Sequence, residues 1–369
     1  MLAQRIECGR LSDSDFELVL NAVPKIKKLA KLPRLGRFLR SPKMLDLLLR
    51  NEPDLSRLSI GEVDVVEWWW EEQVKSGKGF SGEEGVARGL ATYLADSLVS
   101  EASPDIVAHD HEATDTLIRR QILTRTVDGR IRFDHDLLAD WARVMHLRSL
   151  GPDVLTFIRE HSENPPWLRA IRLFSQYLLE RSSDHERWQT ILDSCKTVPL
   201  GQKERTSQSL QILDAWLEGI AYCSEPSLLL EQNRGQLFEE NSWLLKRLLR
   251  RLLHNATIPD PVVQSQFRQM DPDIADYAAL RFRLPVASLW PPFISFLIAN
   301  PEESTDSLPV TLAELGLMWG KLEEYLQVNW SPLAELILLN AEKELRSEVG
   351  GTYRHDRGST LIGGGTNSR

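Results

Sequence analysis

The chain has 369 residues, with 44 Lys and Arg against 53 Asp and Glu, a formal net charge of −9 and 42% hydrophobic residues. That length accommodates roughly two or three domains with cores of their own. The charge balance excludes a polybasic nucleic-acid binder and an acidic tail protein.

The three cysteines, Cys8, Cys195 and Cys223, are far apart and lack any CxxC or Cys/His spacing that could hold a metal, so reduced thiols in a cytoplasmic compartment are expected. The most apolar window, 286–299, is interrupted by Pro291 and Pro292 and is shorter than the ~20 residues of a membrane-spanning helix. It reads as core. The opening Met1-Leu2-Ala3-Gln4-Arg5 carries no secretory pattern, so no membrane association is expected.

In chain order, Leu2, Ile6 and Cys8 alternate as in one short strand, the end of a sheet expected to lie before Met1. Two amphipathic helices follow, over 16–29 and 35–49, punctuated by Pro33 and Pro42. The stretch 25–43 holds eight Lys/Arg and no acid, which reads either as a solvated or phosphate-facing surface or as a nucleic-acid face. A helix over 60–74 carries Trp68-Trp69-Trp70, a core or interdomain anchor by default and a base-stacking platform as the functional alternative.

Val86, Leu90, Tyr93, Leu94 and Leu98 repeat at helical spacing, and Leu117, Ile118 and Ile122 begin a second such face. Residues 123–127 and 130–133 flank Asp128-Gly129, a dipeptide suited to the positive φ angles of a tight hairpin. Helices followed by a β-ribbon make a winged-helix pattern. A further helix carries Leu137, Leu138, Trp141, Met145 and Leu147. Beyond Gly151 one helix follows another, each opened by proline or a polar cap, as in stacked helical hairpins of HEAT or TPR type. The glycine-containing tail after Glu348 reads as disordered or a linker.

A phosphate-cradling loop needs G-x-x-x-x-G-K-[ST], and none is present. Gly77-Lys78-Gly79-Phe80-Ser81-Gly82 matches G-x-G-x-x-G but follows a charged helix end where a dinucleotide site requires a buried strand, so it is a loop. His109-Asp110-His111-Glu112 and His135-Asp136 hold the ligand types of a metal phosphohydrolase. The plainer reading of each is a capped helix start.

Arg132-Phe133-Asp134-His135-Asp136-Leu137-Leu138-Ala139-Asp140-Trp141 resembles the His-Asp signature that closes the winged helix of STAND-type ATPases, the class that includes NB-ARC and NACHT switch proteins. Leu39-Arg40-Ser41-Pro42-Lys43-Met44-Leu45 resembles the lid segment of the same class. The resemblance implies a switch in which ADP or ATP, held between core, lid and winged helix, keeps the protein closed until the helical repeats sense a signal. It maps the phosphate-approaching histidine onto His135 and the adenine-side proline onto Pro42.

The expected fold is mostly α: the end of an ATPase core and a helical lid over 1–58, a winged helix with one β-hairpin over 59–150, a helical array over 151–348 and a tail over 349–369. The expected function is the regulatory and sensor portion of a STAND-like signalling ATPase, such as one of microbial defence. It would act through protein partners on the array, through a separate ATPase core or through self-assembly. No catalytic or metal residue is assigned, and no nucleotide is expected to be held tightly by this chain alone. A winged-helix nucleic-acid binder using residues 25–43, Arg125, Arg130 and Arg132 is the alternative.

Overall fold

Proline at the first helical position and apolar residues three and four apart determine most helix starts and buried faces in this chain. The computed structural model describes residues 11, 13–30, 39–51, 61–75, 82–161, 164–181, 184–196, 207–268, 274–275, 278, 283–286, 289–326 and 331–358. The sequence-predicted strand at Leu2, Ile6 and Cys8, the loop Gly77 to Ser81 and the cations Lys31, Arg34 and Arg37 lie outside them. Every described element is helical except four strands of three residues each. The mostly α class expected from the sequence is what the chain adopts. The chain divides into two compact units, 1–224 and 225–369.

The first unit opens with α1 (Asp13–Ala22), α2 (Pro24–Ala30) and α3 (Pro42–Asn51). Helix α4 (Glu62–Trp69) runs into a wider π-turn, Trp70–Val74, closed by the Lys75 amide donating to the Trp70 carbonyl at 2.9 Å. The indoles of Trp69 and Trp70 are buried, and Trp69 meets Trp141 edge-on at 5.4 Å. Two of the three tryptophans are therefore core, and Trp68 is half-buried.

The winged helix is built from α5 (Gly82–Asp96), a single bridging residue Ala102, a 3-10 turn (Pro104–Val107), α6 (His111–Arg119), β1 (Leu123–Arg125) and β2 (Ile131–Phe133). Ala102 exchanges two backbone hydrogen bonds with Ile131, of 2.8 and 2.9 Å, which puts β2 between Ala102 and β1. This third, one-residue strand leaves no sequence periodicity. The hairpin pairs Leu123 with Phe133 and Arg125 with Ile131. Its turn departs from the expected two-residue form: only Gly129 has positive φ, at 79°, and Thr126 still pairs with Arg130 across Val127, Asp128 and Gly129. A three-residue loop with one left-handed glycine needs no strain at Asp128.

After the wing come α7 (Asp136–Ser149), α8 (Val154–Glu160), α9 (Pro165–Glu180), α10 (His185–Lys196) and α11 (Ser207–Tyr222). Helix α9 packs on α7 as well as on α11. The sequence places a boundary at 150/151; the compact unit continues to Ser224, because α9 buries Ile171, Leu173, Phe174 and Leu179, which lie on different sides of the helix.

The α9–α11 crossing is tight at Gly219. A Cβ there would lie 2.8 Å from Ser175 Cβ and 3.0 Å from the Gln176 backbone nitrogen. Mid-helix Gly→Ala ordinarily stabilises by about 0.5–1 kcal/mol. Here overpacking reverses the sign, and Gly219→Ala is expected to cost about 1–3 kcal/mol in urea denaturation.

The second unit contains α12 (Pro226–Gln232), α13 (Arg234–Asn255), β3 (Thr257–Pro259), α14 (Pro261–Arg268), β4 (Arg283–Pro285), α15 (Pro291–Ala299), α16 (Pro301–Ser307), α17 (Pro309–Leu326) and α18 (Ser331–Gly358). On α13, Leu244, Leu245, Leu248, Leu249 and Leu252 form the buried stripe, and the Arg247 guanidinium lies over the Trp243 ring at 5.8 Å. The apolar window becomes α15, burying Phe293, Phe296 and Leu297 beside Trp290. Among the described residues no helix is long and apolar enough to cross a membrane.

The all-helical expectation beyond 151 is corrected at β3 and β4, which pair Thr257 with Pro285 and Pro259 with Arg283. Arg283 fixes this ladder by donating to Thr257 Oγ1 at 2.6 Å and to the Thr257 carbonyl at 2.8 Å. Helical backbone in α18 also continues past the expected tail boundary at 349, through Gly350 and Gly351 to Gly358. A glycine costs a helix only about 1 kcal/mol, so two of them need not end a long one.

Candidate functional site

His135 ends the wing in extended conformation, φ −150° and ψ 143°, and is the N-cap of α7. Its Nδ1 accepts the Leu137 amide at 3.0 Å, satisfying one of the amides that a helix start leaves without a partner. The helix start is thus capped, as the plainer sequence reading expects, but by His135: Asp136 is the first helical residue and exposed. With Nδ1 accepting, the neutral ring carries its proton on Nε2. Partial burial lowers the His135 pKa, the positive charge of Lys43 adds to this, and Asp136 and Asp134 oppose it. The ring at neutral pH is thus an uncharged donor on an exposed residue.

Pro42 is the first residue of α3, where its missing N–H costs nothing. The next residue, Lys43, makes a short ion pair with Asp134, the residue before His135. Asp134 is held from its other side by the Thr124 hydroxyl at 3.0 Å. Lys43 also lies 3.8 Å from Asp46. The two sequence-predicted positions, Pro42 and His135, are therefore flanked by directly bonded neighbours, although 91 residues separate Lys43 from Asp134. Nothing in the sequence patterns singles out this pair.

Burial raises the Asp134 carboxyl pKa, but the hydrogen bond and charge of Lys43, with the Thr124 hydrogen bond, outweigh this and hold it below the ordinary 3.8. A carboxylate with a depressed folded pKa contributes stability above its unfolded value and loses it as pH falls through the folded one. Lys43→Ala is expected to reduce the loss of unit 1 stability on acidification below 3.8, as followed by thermal unfolding at successive pH values. An unchanged acid limb would contradict the pairing.

A second cluster the sequence did not reveal lies behind the same helix. The Arg143 Nη1 donates to Asp140 Oδ1 at 2.7 Å, and its Nε donates to the Ala91 carbonyl at 3.3 Å. Arg169 reaches the second Asp140 oxygen at 3.2 Å. Arg172 donates to Glu62 Oε2 at 3.0 Å and lies over the Tyr222 ring at 4.6 Å. Burial raises the Asp140 pKa against the pull of Arg169 and Arg143. The aspartate of the Leu-Leu-x-Asp pattern is thus part of a buried ionic cluster tying α4, α5, α7 and α9 together. Its chemistry is structural.

The metal alternative finds no geometry. Asp110 is the N-cap of α6, accepting the Ala113 amide at 2.9 Å, and His111 begins that helix as an exposed residue. Among the described residues no group of three or more His, Cys, Asp or Glu side chains could hold a metal ion. Burial pushes the Cys195 thiol up to about 12, so it remains protonated.

The nucleic-acid alternative meets opposing charge. Helix α6, in the recognition position of a winged helix, exposes Glu112 and Asp115. Arg125 pairs with Asp115 at 3.6 Å and Arg130 with Glu101 at 3.5 Å, so two of the three wing arginines face carboxylates. Of the basic stretch at 25–43, Arg40 lies over the Phe16 ring at 5.1 Å and Lys43 is held by Asp134.

Fold and site together define a mostly α-helical protein whose winged helix is bonded at its wing base to the start of a preceding helix. No protein-family model matches the chain, and no curated protein matches it.

Proposed function

We propose that this chain is the responding portion of a STAND-like, nucleotide-controlled switch: a lid segment, a winged helix and a helical array that act through protein partners and not as an enzyme. The Lys43–Asp134 pair carries this reading, because it places the helix opened by Pro42 beside the wing end that presents His135. A neutral imidazole with its proton on Nε2 suits donation to a phosphate oxygen. The segments brought side by side are the two whose residues resemble the lid and the His-Asp signature.

The sequence holds no P-loop, so firm grip on a triphosphate requires a P-loop core outside these residues. The helical array supplies broad surfaces for protein partners, as stacked helices do elsewhere. Nucleic-acid recognition is the weaker reading, because α6 exposes Glu112 and Asp115 and two of the three wing arginines already face carboxylates.

Isothermal titration of the full chain separates the two. The proposal expects ADP affinity weaker than about 10 μM and no salt-sensitive duplex binding. Nanomolar ADP binding by this chain alone would count against the need for an outside core. Duplex binding that weakens with salt and with Arg125→Ala and Arg130→Ala would replace the proposal with the winged-helix nucleic-acid reading.

A further inference from the structure

Between α3, the π-turn after α4 and the C-terminal end of α6 lies a cavity of about 210 Å³, within the first unit. Neither Pro42 nor His135 lines it. Its wall carries four cations, Lys43, Arg50, Arg119 and Arg120, and one carboxylate, Asp46, while Lys43 is also paired with Asp134 outside the lining. The Asp46 carboxylate is already engaged, with Arg50 Nε at 2.6 Å and Lys43 Nζ at 3.8 Å. The wall also includes Trp69, fully buried, whose indole N–H has no acceptor.

Two of the cations are fixed before any ligand arrives. Arg120 donates to the Gln73 and Val74 carbonyls at 3.0 and 3.3 Å, and Arg119 donates to Thr116 Oγ1 at 2.8 Å. Side chains already ordered lose little freedom on binding. The lining is rich in donors and poor in acceptors, so a ligand that complements it carries negative charge and only accepts hydrogen bonds. The volume falls below the roughly 300 Å³ at which pockets for drug-sized molecules begin, which suits a group smaller than a whole nucleotide.

The geometry points to a binding site for a small phospho-anion, a diphosphate group or its equal in size and charge, in the cleft formed by Lys43, Arg50, Arg119 and Arg120. This inference stands on the cavity and its donors and does not depend on the switch reading. Inorganic pyrophosphate is the probe, and ADP tests whether the group is read free or as part of a nucleotide.

Calorimetric titration of the full chain is expected to give one saturable pyrophosphate site, with ADP bound no more tightly. Arg119→Ala and Arg50→Ala each replace an exposed residue and should weaken it about tenfold or more, the scale of one charge-assisted hydrogen bond. Arg346→Ala, at an exposed arginine of the second unit paired with Glu342, should leave the affinity unchanged. Unaltered circular dichroism and melting temperature show that each variant is folded. No saturable heat, equal weakening by Arg346→Ala, or affinity indifferent to both cavity arginines would overturn the assignment. ADP binding tenfold tighter than pyrophosphate would overturn it too, since the nucleoside would then be recognised.

Discussion

Replacing Glu62 with alanine is expected to destabilise the first unit by about 3–5 kcal/mol, because it removes the carboxylate bonded directly to a buried guanidinium. The Glu62 side chain is 1% exposed and that of Arg172 10% exposed. Arg172 would keep the Tyr222 ring, its 3.2 Å bond to Gln176 and the charge of the buried Glu218, but would lose its hydrogen-bonded carboxylate. Arg169 would lose a contact at 3.9 Å but keep Asp140, so the damage should centre on Arg172. Replacing both partners, as Glu62→Leu with Arg172→Met, should recover most of the loss, since a buried pair exchanged for apolar side chains of similar volume is often neutral. Urea denaturation of the two single variants and the double variant closes the cycle. Additive losses would show that the pair is not coupled.

The second large effect is expected at Trp141. Its ring is fully buried on α7 and meets the fully buried Trp69 of α4 edge-on, joining the wing's closing helix to the helix before the winged fold. Trp141→Ala removes one of the two indoles of that contact and should cost about 3–5 kcal/mol, the usual range when a buried aromatic leaves a cavity. The Trp141 indole N–H has no acceptor, so Trp141→Phe retains the ring contact and gives up no hydrogen bond. It should cost clearly less than the alanine variant in the same denaturation experiment. Equal costs would mean that the N–H, and not the packing, matters there.

How much of this was legible beforehand depends on the distance over which each signal acts. Helices α5, α6 and α7 and the hairpin at Gly129 were readable because periodic apolar residues and turn glycines act within a few positions. Ala102, β3 and β4 were not, since one to three residues cannot display an alternation. His135 and Pro42 were singled out by local motif, but the Lys43–Asp134 bond beside them joins charges 91 positions apart. The same holds for Glu62 and Arg172, 110 apart, which ordinary charge patterning reads as two solvated residues. The capping role of His135 was hidden by its neighbour: aspartate is the commoner cap, and only the backbone geometry shows that the helix begins one residue later.

The central claim, that these residues answer to a nucleotide gripped elsewhere, is tested most directly in the native host. Tagged chain is purified from host cells, and the nucleotide it carries is extracted and identified, for the natural sequence and for His135→Ala. The account predicts ADP recovered together with P-loop-containing polypeptide, and a marked loss of that ADP in the His135→Ala protein at unchanged melting temperature. Recovery free of both nucleotide and P-loop polypeptide, or ADP content indifferent to His135, would contradict it.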